Sequence, residues 1–242
     1  MIVYLDDILI FTLTLEEHYW AVQRVLKVLA EHKLFLHFKK CEFDKQQIEY
    51  LKLVIAQDQV EIDLVKVAET CNWPILYNHT DLQIFLSFVN FYQKFIHSFL
   101  DITHFLFNFT GSNSIWTWTT TQKNTFDALK AAITLALILV FSDTFALFQI
   151  KVESLDFVTE AVLFQKSKAD GKWHLVAFFS KSLSLVECNY EIHNKKILAI
   201  IWALEELQHF LEKAPNLVEI WTDYWNLKYF MTAKKLNWRQ AQ

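Results

Sequence analysis

The sequence predicts a mixed α/β (α+β) fold, and three observations point to it. Apolar residues recur at helical spacing over 19–29, 82–96 and 126–133. Phe148, Ile150 and Val152 alternate with Gln149, Lys151 and Glu153, the period of a half-buried strand. The C-terminal third then sets a long helical pattern between strand-like runs, reading β-β-β-α-β. With 242 residues, 53% hydrophobic and 21% charged, the chain can bury one or two cores and is not a disordered tail.

Taken in order, residues 2–11 are apolar and β-rich, broken only by Asp6-Asp7, and read as a hairpin. Thr14-x-x-Glu17 is a capping box, and the helix behind it places Tyr19, Val22, Leu26 and Leu29 on one face. Residues 34–43 and 48–62 read as short strands with polar breaks at 44–47 and 57–59. Trp73-Pro74 marks a boundary. Thr80-x-x-Gln83 opens a second helix with the stripe Leu82, Phe85, Leu86, Val89, Phe95 and Ile96. A polar linker at 110–113 precedes a third helix carrying Phe126, Leu129 and Ile133. Strands over 157–165 and 173–180 partner the alternating one, joined by a turn at 166–172. Ser184-x-x-Glu187 caps a long helix with Ile197, Ile200, Leu204, Leu207 and Leu211. Pro215-Asn216 ends it, and a strand over 217–222 delivers Asp223.

The composition carries two anomalies. There are 2 glycines and 2 prolines, where average usage predicts roughly 17 and about 12. Arg24 and Arg239 are the only arginines beside 21 lysines. A chain so poor in glycine is either nearly all helix or strained at its turns. The net charge of −4 gives no global sign of a nucleic-acid or anionic-membrane partner. Cys41, Cys71 and Cys188 are odd in number and widely spaced, which argues against a disulfide framework and fits a reducing, intracellular compartment. No signal peptide is evident, and the longest apolar stretch, 131–141, is too short to span a membrane.

Chemistry is most sharply suggested by Tyr4-Leu5-Asp6-Asp7. Adjacent carboxylates between apolar strands repel each other, and a divalent cation relieves them; two such cations activate and stabilise oxygens in nucleotidyl transfer. A solvated β-turn is the plainer alternative.

The run Val3-Tyr4-Leu5-Asp6-Asp7-Ile8-Leu9-Ile10-Phe11 resembles the Y-x-D-D motif of reverse transcriptases, in the form found in gypsy-type LTR retrotransposons. The resemblance continues collinearly through Lys40-Cys41-Glu42-Phe43, Tyr50-Leu51, Asn72-Trp73-Pro74, residues 86–95, Trp116-x-Trp118 and Phe126-Asp127-Ala128-Leu129-Lys130. Ala161-Val162-Leu163, Trp173-His174, Ala177-Phe178-Phe179-Ser180, Asn189-Tyr190-Glu191-Ile192-His193, Trp221-Thr222-Asp223 and Asn226-Leu227 are similar to the retroelement RNase H domain. It implies the end of the palm over 1–63, the thumb over 64–110, the connection over 111–143 and an RNase H-like domain, C-terminally truncated, over 144–242. It also implies that the fingers, the early palm strand with its aspartate, and the last RNase H helix lie outside the chain.

Carried over residue by residue, the resemblance gives Asp6 and Asp7 the polymerase metals, Tyr4 the primer terminus, and Glu153 and Asp223 the RNase H carboxylate positions, with Asp6, Asp7 and Asp223 as Mg²⁺ ligands. Its partners would be primer–template nucleic acid or an RNA–DNA hybrid, with no membrane. The departures bear on activity. Glu153 stands where the family has Asp, and Lys196 where it has a metal-binding Glu; an ammonium cannot ligate Mg²⁺. Lys52, Ser87 and Glu160 stand at family glycines, Leu64 and Leu185 at prolines, and Trp238 at an arginine. Most of these changes fit C→T or G→A transitions, as in a decayed copy, so the resemblance implies a catalytically inactive fragment. A nucleic-acid-binding module without chemistry is the alternative.

His18, His193 and His209 have no mutual ligand spacing. Lys39-Lys40, Lys195-Lys196 and Lys234-Lys235 could touch phosphates but read more simply as solvated lysines, and Trp20, Phe88 and Phe91 as core.

Overall fold

The computed structural model describes residues 1–110, 116–136, 138–212 and 214–223. Asn226-Leu227, Lys234-Lys235, Trp238 and most of the 110–113 linker lie outside those residues.

The chain opens as a two-stranded ribbon, β1 (Ile2–Tyr4) and β2 (Asp7–Leu9), with Tyr4 opposite Asp7. The loop is Leu5-Asp6, so only Asp6 sits in the turn, and Leu5 takes a φ of 54°. The expectation of buried strands on both sides of the aspartates does not hold: Tyr4 is 55% exposed and Leu9 alone is buried. A lone ribbon has no sheet face to lay on a core. Thr14 caps α1 (Leu15–Glu31), its hydroxyl accepting from the Glu17 N–H at 3.3 Å. The helix buries no residue; Val22 and Leu29 are half covered, while Tyr19 and Leu26 face solvent.

Residues 34–43 form no strand. Lys33 turns the chain at φ 56°, Phe35 is 94% exposed, and Phe38–Lys40 wind into a 3-10 turn, so the apolar run meets no sheet face. The next stretch folds as strands, with a turn at Leu51-Lys52 that was not expected and with Gln59 already in a strand. β3 (Ile48–Tyr50), β4 (Leu53–Ala56) and β5 (Gln59–Ile62) form an antiparallel meander, joined on β5 by β6 (Leu139–Val140).

A helical unit follows: α2 (Leu64–Cys71), α3 (His79–Asn90), α4 (Phe99–Phe109) and α5 (Thr120–Thr134). α2 and α4 are not evident from spacing alone. The cap of α3 is Asn78, whose side chain accepts from the Asp81 N–H at 2.9 Å, two residues ahead of the Thr80 box. The stripe read from the sequence is the core here: Leu82, Phe85, Leu86, Val89, Phe95 and Ile96 are buried with Phe126, Leu129 and Ile133.

The second core lies under a four-stranded sheet of order β10-β7-β8-β9. β7 (Leu147–Ser154), β8 (Val158–Lys166) and β9 (Trp173–Ser182) are antiparallel, and β10 (Glu219–Thr222) runs parallel to β7. A parallel neighbour needs a crossover, which α6 (Ile192–Leu211) supplies. Its sheet-facing stripe is Lys196, Ala199, Ala203 and Leu207; of the expected stripe Leu207 is buried, Ile200 and Leu211 pack at the edge of this core, Ile197 is half-buried and Leu204 is exposed. The Ser184 box forms reciprocally with Glu187 but closes the 3-10 turn Glu187–Asn189; α6 begins after it, behind its own N-cap Glu191.

The shortage of glycine shows in the backbone. Among the described residues, seven non-glycine residues hold a positive φ: Leu5, Lys33, Asp44, Leu51, Lys52, Asp58 and Ser98. Lys52, at 65°, stands where the family resemblance implies glycine.

Candidate active site

The β7–β10 pairing builds the site. Thr222 lies opposite Val152 in a parallel register, so Glu153 and Asp223 follow side by side at the C-terminal ends of two adjacent strands. Both line a cleft of about 710 Å³. The antiparallel β7–β8 register sets Glu160 directly opposite Glu153. Aromatic walls come from Phe164, Phe178 and Trp221, and Lys151 lies over the Phe164 ring at 5.0 Å and near Trp221 at 6.0 Å.

α6 adds the decisive group. Lys196 is 4% exposed, and its Nζ donates to Asp223 Oδ1. That hydrogen bond is the main reason the Asp223 carboxyl sits below the usual carboxylate range, partial burial opposing it. Lys195 is buried too, its Nζ reaching the Asp156 carbonyl at 3.4 Å. The pair is therefore not solvated, as the bare sequence suggested: a helix lying on a sheet buries whatever faces it, and both ammonium groups find acceptors.

Magnesium does not fit the residues present. The ion needs carboxylate or carbonyl oxygens in near-octahedral array, yet one carboxylate here accepts from an internal ammonium. Among the described residues, no three His, Cys, Asp or Glu side chains converge on a possible ion position. The same holds for Asp6 and Asp7, which lie on the exposed ribbon, on a separate sheet from Glu153 and Asp223. That ribbon touches the meander through Tyr50, whose hydroxyl donates to the Asp7 carbonyl at 3.5 Å.

The remaining candidates have local partners. His193 is 3.2 Å from Glu191, His18 is 3.8 Å from Asp44, and His209 packs beside Phe210. Phe88 packs against Trp73 and Tyr92, whereas Trp20 and Phe91 are 62% and 51% exposed and not core. Sequence reasoning missed Ser98, which donates to Glu160 Oε2 at 2.9 Å from 62 residues away. Glu160, the one acidic residue of β8, was the visible signal.

Residues 118–218 match the family described as the RNase H-like domain found in reverse transcriptase. The chain is 30% identical over 227 residues to the Transposon Tf2-3 polyprotein of Schizosaccharomyces pombe, a match covering 94% of this chain and 17% of the relative. The Tf2-7 polyprotein of the same yeast matches at the same identity and coverage. The chain thus spans about a sixth of the length of these relatives. The fold is shared with the foamy viral protease-reverse transcriptase dRH in complex with double-stranded DNA. The TM-score is 0.79 at 18% identity, over 96% of this chain and 41% of that one. The same viral protein in complex with an RNA/DNA hybrid gives 0.77 at 18% identity, over 96% and 32%. The chain therefore carries a reverse-transcriptase-associated RNase H-like domain homologous to the Tf2 polyproteins, behind a region with the fold of the C-terminal part of a reverse transcriptase. Among the described residues, no helix is long and apolar enough to cross a membrane.

Proposed function

We propose that this chain is part of a gypsy-type retroelement polyprotein whose RNase H-like site has lost hydrolytic activity. Its parts are the end of the palm (1–63), the thumb (64–110), the connection (111–143) and the RNase H-like domain (144–242). The ancestral activity is RNA-directed DNA polymerisation with cleavage of RNA in RNA–DNA hybrids, both dependent on Mg²⁺. Asp6 and Asp7 descend from the polymerase metal ligands and Tyr4 from the primer-terminus contact. Glu153 and Asp223 are the remnants of the nuclease site.

The observation that carries the loss is the Lys196–Asp223 ion pair. A buried ammonium supplies internally the positive charge that a cation would bring, and it excludes that cation. Glu153 adds a methylene, and displacements of about 1 Å at a reacting centre cost on the order of 10²-fold in rate. A second reading, nucleic-acid binding without chemistry, is favoured by Lys151 above Phe164 and Trp221 at the cleft, since aromatic faces and cations together hold bases and backbone.

The test is a gel assay with a labelled RNA–DNA hybrid and a primed RNA template, in Mg²⁺ or Mn²⁺. Neither cleavage nor extension is expected. Cleavage abolished by Asp223→Asn, or extension abolished by Asp6→Asn with Asp7→Asn, overturns the proposal.

A further inference from the structure

Ser98 has an unusual place at the head of α4. It is the N-cap residue, at φ 53° in the left-handed region, and its hydroxyl makes no bond to its own helix. N-cap serines ordinarily accept from the second or third amide of the helix they start. Here the hydroxyl donates to Glu160 Oε2 at 2.9 Å, on β8 of the other core. That donation fixes its partner roles: His97 Nδ1, 2.8 Å from the same oxygen, must be the donor to it. Nδ1–H of His97, the Ser98 hydroxyl and the Glu160 carboxylate thus form one directed chain.

Glu160 is 7% exposed, and its Oε1 has no hydrogen-bond partner among the described residues. Burial is the first reason its carboxyl is held above the ordinary range; Asp101 of α4 and Glu153 of β7 push the same way, while Ser98 and His97 oppose them. A carboxylate in so costly a place, joined to a strained backbone, needs compensation. Two ring contacts line the same seam. His97 meets Phe178 edge-on at 5.4 Å, and His104 stacks on Phe157 at 5.2 Å. His97, Glu160 and Phe178 also belong to the wall of the cleft that holds Glu153 and Asp223.

We propose that His97, Ser98 and Glu160 form a clasp that docks the N-terminus of α4 onto the RNase H-like sheet and thereby holds one wall of the cleft in place. The carboxylate stands at the positive end of α4, where the helix dipole favours negative charge. Parting the helical unit from the sheet requires breaking this chain of bonds.

Ser98→Gly gives a clean test. Glycine accepts φ 53° without strain, so the variant removes the hydroxyl while relieving the backbone. Amide hydrogen exchange on the full-length chain reads the amides of Ile102 to Phe107, and proton NMR reads the rings of His97 and His104. The clasp predicts exchange about ten-fold faster in α4 for Ser98→Gly and for Glu160→Ala, with no further increase in the double variant, since one charge-assisted bond is lost once. It also predicts that both histidine rings lose the shifts imposed by Phe178 and Phe157. A merely strained serine beside a misplaced glutamate predicts the reverse: slower exchange in Ser98→Gly, additive effects and unchanged histidine shifts. Either unchanged shifts or additivity overturns the clasp. Should Glu160→Ala fail to fold, Glu160→Gln takes its place. It keeps volume and acceptor but removes the charge, and the clasp predicts a smaller rise in exchange of the same sign; no rise overturns it.

Discussion

Replacing Lys52 with glycine stabilises the protein. Leu51 and Lys52 form the two-residue loop between Tyr50 and Leu53, at φ 51° and 65°. Two successive positive φ values make a primed hairpin turn, which favours Asn-Gly. A side chain in the left-handed region costs about 1–2 kcal/mol. Glycine removes that cost but adds unfolded-state entropy, roughly 0.5–1 kcal/mol in the other direction. Lys52 also lies 5.9 Å from the Phe91 ring, a contact worth about 0.5 kcal/mol at an exposed site. The net gain is about 0.3 kcal/mol, or a rise in Tm of about 1 °C for a chain of this size. Calorimetry on Lys52→Gly, Lys52→Ala and Gln57→Gly reads it. Gln57 sits in the neighbouring loop without a positive φ. Lys52→Ala keeps the β-carbon and gains nothing, and Gln57→Gly loses stability. Equal shifts for Lys52→Gly and Gln57→Gly, or a gain from Lys52→Ala, refute the backbone explanation.

The pKa of Tyr92, 1% exposed with a hydroxyl that has no partner among the described residues, is pushed up to about 12 by burial and by Asp63, Glu69 and Glu49. Because the folded value lies above the unfolded value near 10, its contribution is complete below pH 10 and lost as pH rises towards 12. Urea melts should therefore weaken across that window, and less steeply in Tyr92→Phe, which gains about 1 kcal/mol at pH 7 by removing the unmatched hydroxyl; a loss on that substitution contradicts the assignment. Lys196→Met should be neutral or stabilising, whereas Asp223→Asn, which leaves a buried ammonium beside a neutral acceptor, costs about 1 kcal/mol; the reverse order in denaturant melts contradicts the burial of Lys196. Residues 1–38 expose Ile2, Val3, Tyr4, Phe11, Leu13, Trp20, Phe35 and Phe38, so light scattering at tens of micromolar should show self-association. A monodisperse monomer refutes that.

The sheet of the RNase H-like domain is legible in the sequence because its strands are long and alternate, and because Asp143, Lys166–Lys172 and Pro215-Asn216 punctuate them. The α3 stripe is legible for the same reason, since Leu82, Phe85, Leu86 and Val89 keep a strict helical period. Residues 34–43 mislead because β propensity without a neighbouring strand makes no sheet. Ser184-x-x-Glu187 misleads because a capping box fixes one turn, whatever follows it. At the site, strand ends set Glu153 and Asp223, the two positions given by the family resemblance, side by side in one cleft. The bond from Lys196 to Asp223 follows from the position of α6 on the sheet, which the sequence implies through resemblance. The Ser98–Glu160 contact joins two cores, and its one local trace, an acidic residue in β8, does not point to its partner.

Binding of Mn²⁺ as a spectroscopic substitute for Mg²⁺, read by electron paramagnetic resonance, tests the central claim most directly. An ammonium about 4 Å from a divalent ion opposes it by roughly 8 kcal/mol at an effective dielectric of 20, enough to empty a weak site. The unmodified chain should therefore show no stoichiometric Mn²⁺ uptake. Lys196→Glu combined with Glu153→Asp should bind the ion, and Asp223→Asn on that background should lose it. Stoichiometric uptake by the unmodified chain that Asp223→Asn abolishes, or no uptake by the combined variant in its folded state, contradicts the placement of Lys196 at a metal-ligand position.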